Sequence, residues 1–203
     1  MRFFTFHNPP LPWGDYGRIL YAGIAACNHD GQLELERTGP YVPPISIPGL
    51  DGIVVTNQFR CALESSSLTG FTFHPVLKKH IVRLPWDSWD KMASEPEYYP
   101  ASGEPEDYLL RQRHDPLLAE QMGMLWDMNL AEGAEIIRVH TGPRSWDVRL
   151  LIRESSWKGC DFFSARDSGY RYCSERARGW FLQHYPDFLT FFPVETAQMD
   201  HHP

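Results

Sequence analysis

The chain has 203 residues and a formal net charge of −7, with 42% hydrophobic and 22% charged residues. This composition is typical of a folded globular protein with a substantial core. The acidic balance argues against a nucleic-acid binder, because phosphate contacts need a basic face. It suits a basic protein partner, and equally it serves solubility alone.

The chain carries no pattern of a secretion signal or a membrane span. The apolar run that begins at Arg2 ends at His7, and no stretch approaches the ~18 apolar residues that a span needs. We therefore expect a cytoplasmic protein with no membrane contact. Outside an oxidising compartment, thiols without a CxxC pair are reduced and partly buried. The four cysteines are Cys27, Cys61, Cys160 and Cys173.

The first quarter of the chain predicts an N-terminal β module. Apolar runs predict strands over residues 2–6 and 18–25, and the alternation of polar and apolar residues predicts a strand over residues 32–37. Turn residues 28–31 join the last two as a hairpin. Four prolines between residues 39 and 49 predict an extended, ordered loop. The module therefore spans residues 1–50, within a single domain of 203 residues.

A repeat organises the remainder of the chain. Residues 53–76 correspond to residues 171–194 at a constant offset of 118 positions, with no insertion or deletion. Each copy predicts a strand, a helix and a second strand, because Thr56 and Ser174 are both N-cap types that precede a helical apolar pattern. Arg60 matches Arg178, and each copy ends in Pro-Val. The predicted core positions of the helices are Phe59, Ala62 and Leu63 in the first copy and Ala177, Trp180 and Phe181 in the second.

Between the two copies, the pattern predicts a strand over residues 79–84 and a helix capped by Asp115, with Pro116 in its first turn. Two further strands are predicted over residues 135–140 and 147–152. The apolar positions of the helix are Leu118, Met122, Leu125 and Trp126. Together these elements predict an α+β fold with a mixed or antiparallel sheet, whose core spans residues 51–195.

The segment of residues 86–108 differs in composition from the rest of the chain. It contains seven acidic residues and one basic residue, interleaved with Trp and Tyr and stiffened by three prolines. Such a loop offers rigid aromatic anchors and a long-range attractive field, which a protein-binding surface needs. Aromatic side chains that fold back onto the core are an equally good interpretation. The predicted partner contacts are Trp89, Asp90, Glu95, Glu97, Tyr98, Tyr99, Glu104 and Glu106.

No metal or other cofactor is expected. Cys27 and His29 flank one turn, but a structural zinc site needs four ligands at characteristic spacings. Cys27 is instead interpreted as a small core residue at the end of the hairpin. The remaining candidate ligands, which only folding could bring together, are Cys160, Cys173, His201 and His202.

No catalytic motif stands out either. The chain has no G-x-S-x-G, no phosphate-binding glycine loop and no H-E-x-x-H. A thiolate pair of Cys61 with His80 is conceivable, but Cys61 lies on the repeat helix, where packing is the simpler role. Arg60 and Arg178 suggest a ligand-binding pair or, for Arg60, a local ion pair with Glu64 four residues later.

The segments IVVTNQFRCALESSSLTGFTFHPV and YCSERARGWF resemble bacterial immunity proteins of the polymorphic-toxin systems. The layout is also similar to the myxobacterial paralogous family named for a double CXXCG motif, although both CXXCG pairs are missing here. The resemblance covers residues 30–195. It implies a protein that acts by binding and therefore has no catalytic residues.

These observations predict an immunity protein that binds a cognate toxin domain in the cytoplasm and occludes its active site. No enzyme activity and no nucleic-acid partner are expected. The alternatives are a small cytosolic enzyme with an unlocated cleft and a non-catalytic adaptor protein. Titratable side chains gathered in a pocket would favour the enzyme, whereas an exposed patch favours the toxin blocker.

Overall fold

The computed structural model describes residues 1–49, 52–144, 146–166 and 168–197. It has an α+β fold, as predicted, with mixed and antiparallel sheets. The chain forms two compact units that are interleaved in sequence, and none of the four boundaries between them lies at residue 50. The terminal unit comprises Met1–His7, Ser66–Thr72 and Leu130–Pro203, and the central unit comprises Asn8–Ser65 and Phe73–Asn129.

Five α-helices and fourteen strands occur within the described ranges. The helices are α1 (Asp15–Ala22), α2 (Asn57–Glu64), α3 (Asp107–Leu110), α4 (Pro116–Gln121) and α5 (Glu175–His184). The strands are β1 (Phe3–His7), β2 (Ile24–Cys27), β3 (Leu33–Gly39), β4 (Ile45–Ser46), β5 (Val54–Thr56), β6 (Phe71–Pro75), β7 (Leu77–Arg83), β8 (Leu125–Leu130), β9 (Glu132–Ala134), β10 (Ile136–His140), β11 (Val148–Arg153), β12 (Phe162–Ala165), β13 (Arg171–Ser174) and β14 (Thr190–Ala197). None of these helices is long and apolar enough to cross a membrane.

The central unit contains two sheets. In one, β3 is antiparallel to β2 and parallel to β7, and in the other the strand order is β4-β5-β8-β6. Leu20 and Tyr21 of α1 join an apolar cluster with Leu84 and Trp86. Arg37 of β3 is fully buried and donates a hydrogen bond of 3.1 Å to the carbonyl of Tyr21. The Tyr21 carbonyl lies at the C-terminal, negative end of the α1 dipole. The negative end of the dipole partly compensates the buried positive charge of Arg37.

The prediction of a strand over residues 18–25 is wrong. Asp15–Ala22 form α1, and only Ile24–Cys27 are extended. Gly23, with φ 79°, ends the helix, and its backbone N–H bonds the carbonyl of Ile19. The run RILYAGIA is almost continuously apolar, and such a run does not distinguish a buried helix from a buried strand. The predicted hairpin is confirmed, since β2 and β3 pair antiparallel.

The terminal unit is built on one seven-stranded sheet with the order β10-β11-β14-β1-β13-β12-β9. Strand β1 lies in the middle, antiparallel to both β13 and β14. Successive β1 residues point to opposite faces of the sheet. Phe6 contacts Phe162, which in turn contacts Phe181 of α5. Phe3 packs on the other face against Phe163. Both faces of the sheet therefore contribute to the core.

The two sequence copies have the same local structure. Thr56 ends β5 and caps α2 with φ −73° and ψ 159°, and Ser174 ends β13 and caps α5 with φ −73° and ψ 162°. The Thr56 hydroxyl accepts from the backbone N–H of Phe59 at 3.3 Å. The Ser174 hydroxyl accepts from the equivalent N–H of Ala177 at 3.2 Å. Both predicted N-caps are confirmed.

The correspondence continues into the sheets. In the second copy, β1 lies between β13 and β14, and Phe3 pairs with both the cap Ser174 and Val194. In the first copy, β8 lies between β5 and β6, and Leu125 pairs with the cap of that copy. The carbonyl of Leu125 also accepts from the N–H of Val76 at 3.0 Å, and Val76 is the sequence equivalent of Val194. Each copy is therefore a split β–α–β arrangement, whose middle strand comes from elsewhere in the chain.

Two of the six helix core assignments need correction. Trp180 and its equivalent Ala62 are only half-buried, and the Trp180 ring lies 4.9 Å from the ring of His184 near the end of α5. The predictions that Trp180 and Ala62 are core residues are therefore wrong. The four other positions are at most 1% exposed, as predicted, and are Phe59, Leu63, Ala177 and Phe181.

The helix that begins at Pro116 is shorter than predicted. Asp115 caps it as expected, accepting from the N–H of Leu118 at 2.9 Å. The helix nevertheless ends at Gln121, and Gly123 adopts φ 67°. Residues 125 and 126 begin β8, so their helical spacing from Leu118 is coincidental. The positive φ favours glycine and redirects the chain into the sheet.

Candidate partner-binding surface

The acidic segment forms an ordered loop, as predicted. Trp86–Ser88 make one 3-10 turn and Asp107–Leu110 make α3, with turns and bends between them. Trp86, Trp89 and Tyr108 are 4%, 7% and 1% exposed and join the apolar cluster of α1. The loop is therefore anchored at both ends by buried aromatic rings.

Trp89, one of the predicted contacts, points inward. Its ring lies 5.0 Å from Tyr98, 6.1 Å from Tyr108 and 6.0 Å from Trp13. This placement corrects the assignment of Trp89 as a direct contact. The ring instead supports the loop from inside, as part of the buried cluster.

Hydrogen bonds brace the loop backbone. The Tyr108 hydroxyl donates to the carbonyl of Tyr98, and the Trp13 indole N–H donates to the carbonyl of Ala93 at 2.9 Å. Burial, with a smaller contribution from Tyr98, raises the pKa of Tyr108 to about 12, so its hydroxyl keeps its proton at neutral pH. Two hydrogen bonds from aromatic side chains to backbone carbonyls thus brace the loop.

The carboxylates of the loop point to solvent. Asp107 is an exception, since it pairs with Arg111 at 2.5 Å. Each of the other six has no basic side chain within 4.0 Å in the part of the chain that the structure describes. These six exposed carboxylates, here called the free carboxylates, are Asp87, Asp90, Glu95, Glu97, Glu104 and Glu106. Their charges therefore act on the solvent side of the loop.

Lys91, the one basic residue of the segment, is turned toward the backbone. Its ammonium donates to the carbonyls of Trp86 and Trp89, and it lies 4.5 Å above the Trp86 ring. Desolvation lowers its pKa, against the opposing effect of nearby carboxylates such as Asp87. Lys91 thus stabilises the backbone of the 3-10 turn and forms no close ion pair with the free carboxylates.

Exposed aromatic side chains lie among these carboxylates. Tyr98 and Tyr99 are 46% and 47% exposed, and Met92 is 93% exposed. The Tyr99 ring packs edge-on against Tyr16 at 5.1 Å, and its hydroxyl lies 3.4 Å from a carboxylate oxygen of Glu95. The structure therefore brings seven of the eight predicted contacts to an exposed surface.

The charge of the chain is unevenly divided. The terminal unit has ten basic and ten acidic residues, whereas the central unit has nine basic and 16 acidic residues. The whole formal charge of −7 thus belongs to the central unit, and the loop contributes most of it. The loop is the main acidic feature of the sequence.

The cysteines are free, and only some of them are buried. Cys27 and Cys61 are exposed, Cys160 is partly buried and Cys173 is buried. The interpretation of Cys27 as a core residue is therefore wrong. The conceivable partner of Cys61, His80, bonds the carbonyl of Gln112 through a ring nitrogen at 3.0 Å. Within the described ranges, no group of three His, Cys, Asp or Glu side chains is placed to hold a metal ion. The predicted candidates His201 and His202 lie outside the described residues.

The matched arginines take matched positions. Arg60 forms the predicted ion pair with Glu64 at 3.7 Å, and its guanidinium carbon also lies 4.0 Å from the Trp126 ring centroid. Arg178 lies 4.7 Å above the ring of Phe4. Trp126 and Phe4 are equivalent residues of the two middle strands. In each copy, the arginine of the helix therefore contacts an aromatic ring of the middle strand, which is a structural role.

One buried charged residue had no signal in the sequence. Asp161 is 4% exposed and accepts from the Ser174 hydroxyl and from Arg176 Nε, each at 2.9 Å, and from the N–H of Thr69 at 3.0 Å. Burial acts to raise its pKa, but these hydrogen bonds hold the pKa below its ordinary value. Asp161 therefore ties the N-terminus of α5 to the adjoining chain and has a structural role.

Comparison with family models, with curated proteins and with solved structures found no significant match.

Proposed function

We propose that this protein binds a toxin domain and covers its active site, inside the cell that makes both proteins. The observation that supports this proposal is the braced loop of residues 86–108. In it, six free carboxylates lie among half-exposed tyrosines. The complement of such a surface is a basic cleft. The resemblance to immunity proteins of polymorphic-toxin systems favours the same class of function.

Binding through this loop needs little reorganisation. Trp89 and Tyr108 hold the loop in place before any partner arrives, so association does not have to order it. The free carboxylates attract a cationic surface over about 10 Å at 0.1 M salt, which accelerates encounter. Tyr98 and Tyr99 then supply short-range contacts that prolong the complex.

The inhibition itself is steric and electrostatic. A toxin that acts on nucleic acid or nucleotides carries a basic cleft for phosphate groups. The free carboxylates would occupy the phosphate positions, and the tyrosine rings would fill the space of the bases. The substrate is excluded, and no catalytic group of the inhibitor is needed.

Charge reversal within the loop tests this proposal. A variant with Glu95, Glu97, Glu104 and Glu106 replaced by Lys is compared with the wild type for binding to the toxin domain encoded by the neighbouring gene. We expect the association rate at low salt to fall by about tenfold or more, and its dependence on salt to become weaker. Protection of cells that express the toxin domain should be lost in parallel.

A control variant with the same change in net charge, placed outside the loop, shows whether the position of the charges matters. Replacing Asp15, Asp30, Glu120 and Asp187 by Lys gives the same net charge, and these residues are exposed and lie outside the loop. The control variant should associate nearly as fast as the wild type. If the loop variant keeps its association rate and still protects cells, or if the control slows equally, the loop is not the toxin-binding surface.

A further inference from the structure

A second surface feature lies in the terminal unit, on the face of the seven-stranded sheet opposite α5. Phe4 of β1 lies beneath Arg178 of that helix. The next residue, Thr5, therefore points the other way, and it lines a pocket of about 370 Å³. This volume is in the range of small-molecule pockets and is enough for one or two fused rings.

Aromatic rings stand around this pocket. Tyr170 and Phe192 line it and are 47% and 53% exposed. His7 lies 6.0 Å from the first ring and 5.5 Å from the second, with both contacts edge-to-face. Burial, together with the nearby charge of Arg171, lowers the pKa of His7, so its ring is neutral at pH 7. Aromatic rings with no charge at neutral pH therefore form one side of the pocket.

The polar groups at the pocket are few and nearly balanced. Arg149 and Glu195 both line it and pair with each other at 3.2 Å, so their charges largely cancel. The hydroxyl of Thr5 lies 3.3 Å from a ring nitrogen of His7 and retains a further lone pair for a ligand N–H or O–H. The site thus offers ring faces and a hydrogen-bond acceptor at Thr5, and the two charged side chains that line it pair with each other.

The other copy of the repeat provides an internal comparison. At the corresponding place, the central unit has a pocket of about 430 Å³ lined by His74 and Asp127. His74 is the sequence equivalent of Phe192, and Asp127 is the equivalent of Thr5 on the middle strand. The fold therefore produces a pocket in both copies but does not require aromatic residues there. Aromatic rings that line a concave pocket, where the fold does not require them, are typical of a ligand-binding site.

We propose that the pocket beside Phe192 binds a neutral planar aromatic ring that carries one hydrogen-bond donor, of the indole class. Edge-to-face contacts with Phe192 and Tyr170 would hold the ring, and its N–H would donate to the hydroxyl of Thr5. A nucleotide fits less well, because Arg149 is already neutralised by Glu195 and offers a phosphate no net positive charge.

N-Acetyl-tryptophanamide serves as the probe and is titrated into the 203-residue chain. Nuclear magnetic resonance of the ligand and of the His7 ring follows binding. We expect saturable binding of one molecule per chain. Phe192→Ser and Tyr170→Ser should each weaken binding about tenfold, because each removes a half-exposed ring from the wall. The melting temperature of each variant verifies that it is folded.

The matched control is His74→Ser, the same change at the equivalent position of the other copy, and it should leave binding unchanged. Cyclohexylacetamide tests whether an aromatic ring is required, and adenosine tests whether a nucleobase is the better occupant. The proposal is overturned if the indole probe does not saturate, if either wall variant binds it as well as the wild type, or if one of the two other compounds binds more tightly.

Discussion

The guanidinium carbon of Arg60 lies 4.0 Å from the centroid of the Trp126 ring. Trp126 belongs to β8, which lies outside the repeat copy that contains Arg60. The equivalent Arg178 lies 4.7 Å above Phe4, on the corresponding strand of the other copy. A charge over the face of an aromatic ring is attracted by its quadrupole, and the aliphatic part of the side chain covers apolar surface. Each of the two arginines thus packs its repeat helix against the middle strand, which comes from outside that repeat copy.

A double-mutant cycle measures this contact. Arg60→Ala should lower the free energy of unfolding by about 1–2 kcal/mol, because the stacking and the packing are both lost. In a Trp126→Leu background the same change should cost less, with a coupling energy of about 0.5–2 kcal/mol. Denaturant unfolding monitors each variant. Arg18→Ala, at a side chain that is 69% exposed, is the control and should cost little. Additive losses would show that Arg60 and Trp126 do not interact.

The two helix caps should differ in strength. Thr56→Ala removes one bond to a backbone N–H and should cost about 1 kcal/mol. Ser174→Ala should cost more, because the Ser174 hydroxyl also donates to buried Asp161 at 2.9 Å. Urea midpoints of the two variants test the difference, and Thr56→Ser should restore the first cap. Equal losses would mean that the bond from Ser174 to Asp161 contributes nothing to stability.

Asp161 should make the terminal unit sensitive to acid. Its pKa in the folded protein lies below the ordinary value of 3.8, because hydrogen bonds to the carboxylate outweigh burial. A carboxylate with a lowered pKa contributes stability that is complete above the unfolded pKa and lost as the pH falls through the folded pKa. We therefore expect the wild type to lose stability steeply below pH 3.8.

The Asp161→Asn variant provides the comparison for this pH dependence. It should be less stable than the wild type at pH 7 and should change less as the pH falls, because the titrating group is gone. Unfolding midpoints in urea between neutral and acidic pH measure both curves. Parallel curves would show that Asp161 does not carry the acid sensitivity.

The features that could be predicted from sequence are those set by local chemistry. Thr56 and Ser174 act on backbone groups three residues away, so each helix start is encoded within one turn. The middle strands depend on distant partners. Leu125 is spaced like a helical residue, and only its pairing beside Thr56 places it in a strand. The prediction of a helix through residue 126 failed because local spacing competes with pairing that sequence does not show.

The same limit applies to the loop. Its composition predicts an exposed acidic surface, and the placement of seven of the eight named residues agrees with it. Composition does not indicate which aromatic ring turns inward. Trp89 turns inward because it packs against Trp13, which is distant in sequence. Tyr99 remains half-exposed.

Alanine substitution of two neighbouring residues in α5, Phe181 and Trp180, should show a larger loss of stability at the buried position. Phe181 is 1% exposed and its ring lies 5.8 Å from both Phe162 and Phe191, so Phe181→Ala leaves a cavity between helix and sheet. We expect this change to cost about 3–5 kcal/mol. Trp180 is half-buried, and water can fill part of the space that Trp180→Ala leaves, so its cost should be about 1–2 kcal/mol. Thermal unfolding of both variants measures the difference. Equal losses would mean that Trp180 is as much a part of the core as Phe181, and the repeat would then match at that position in burial as well as in sequence.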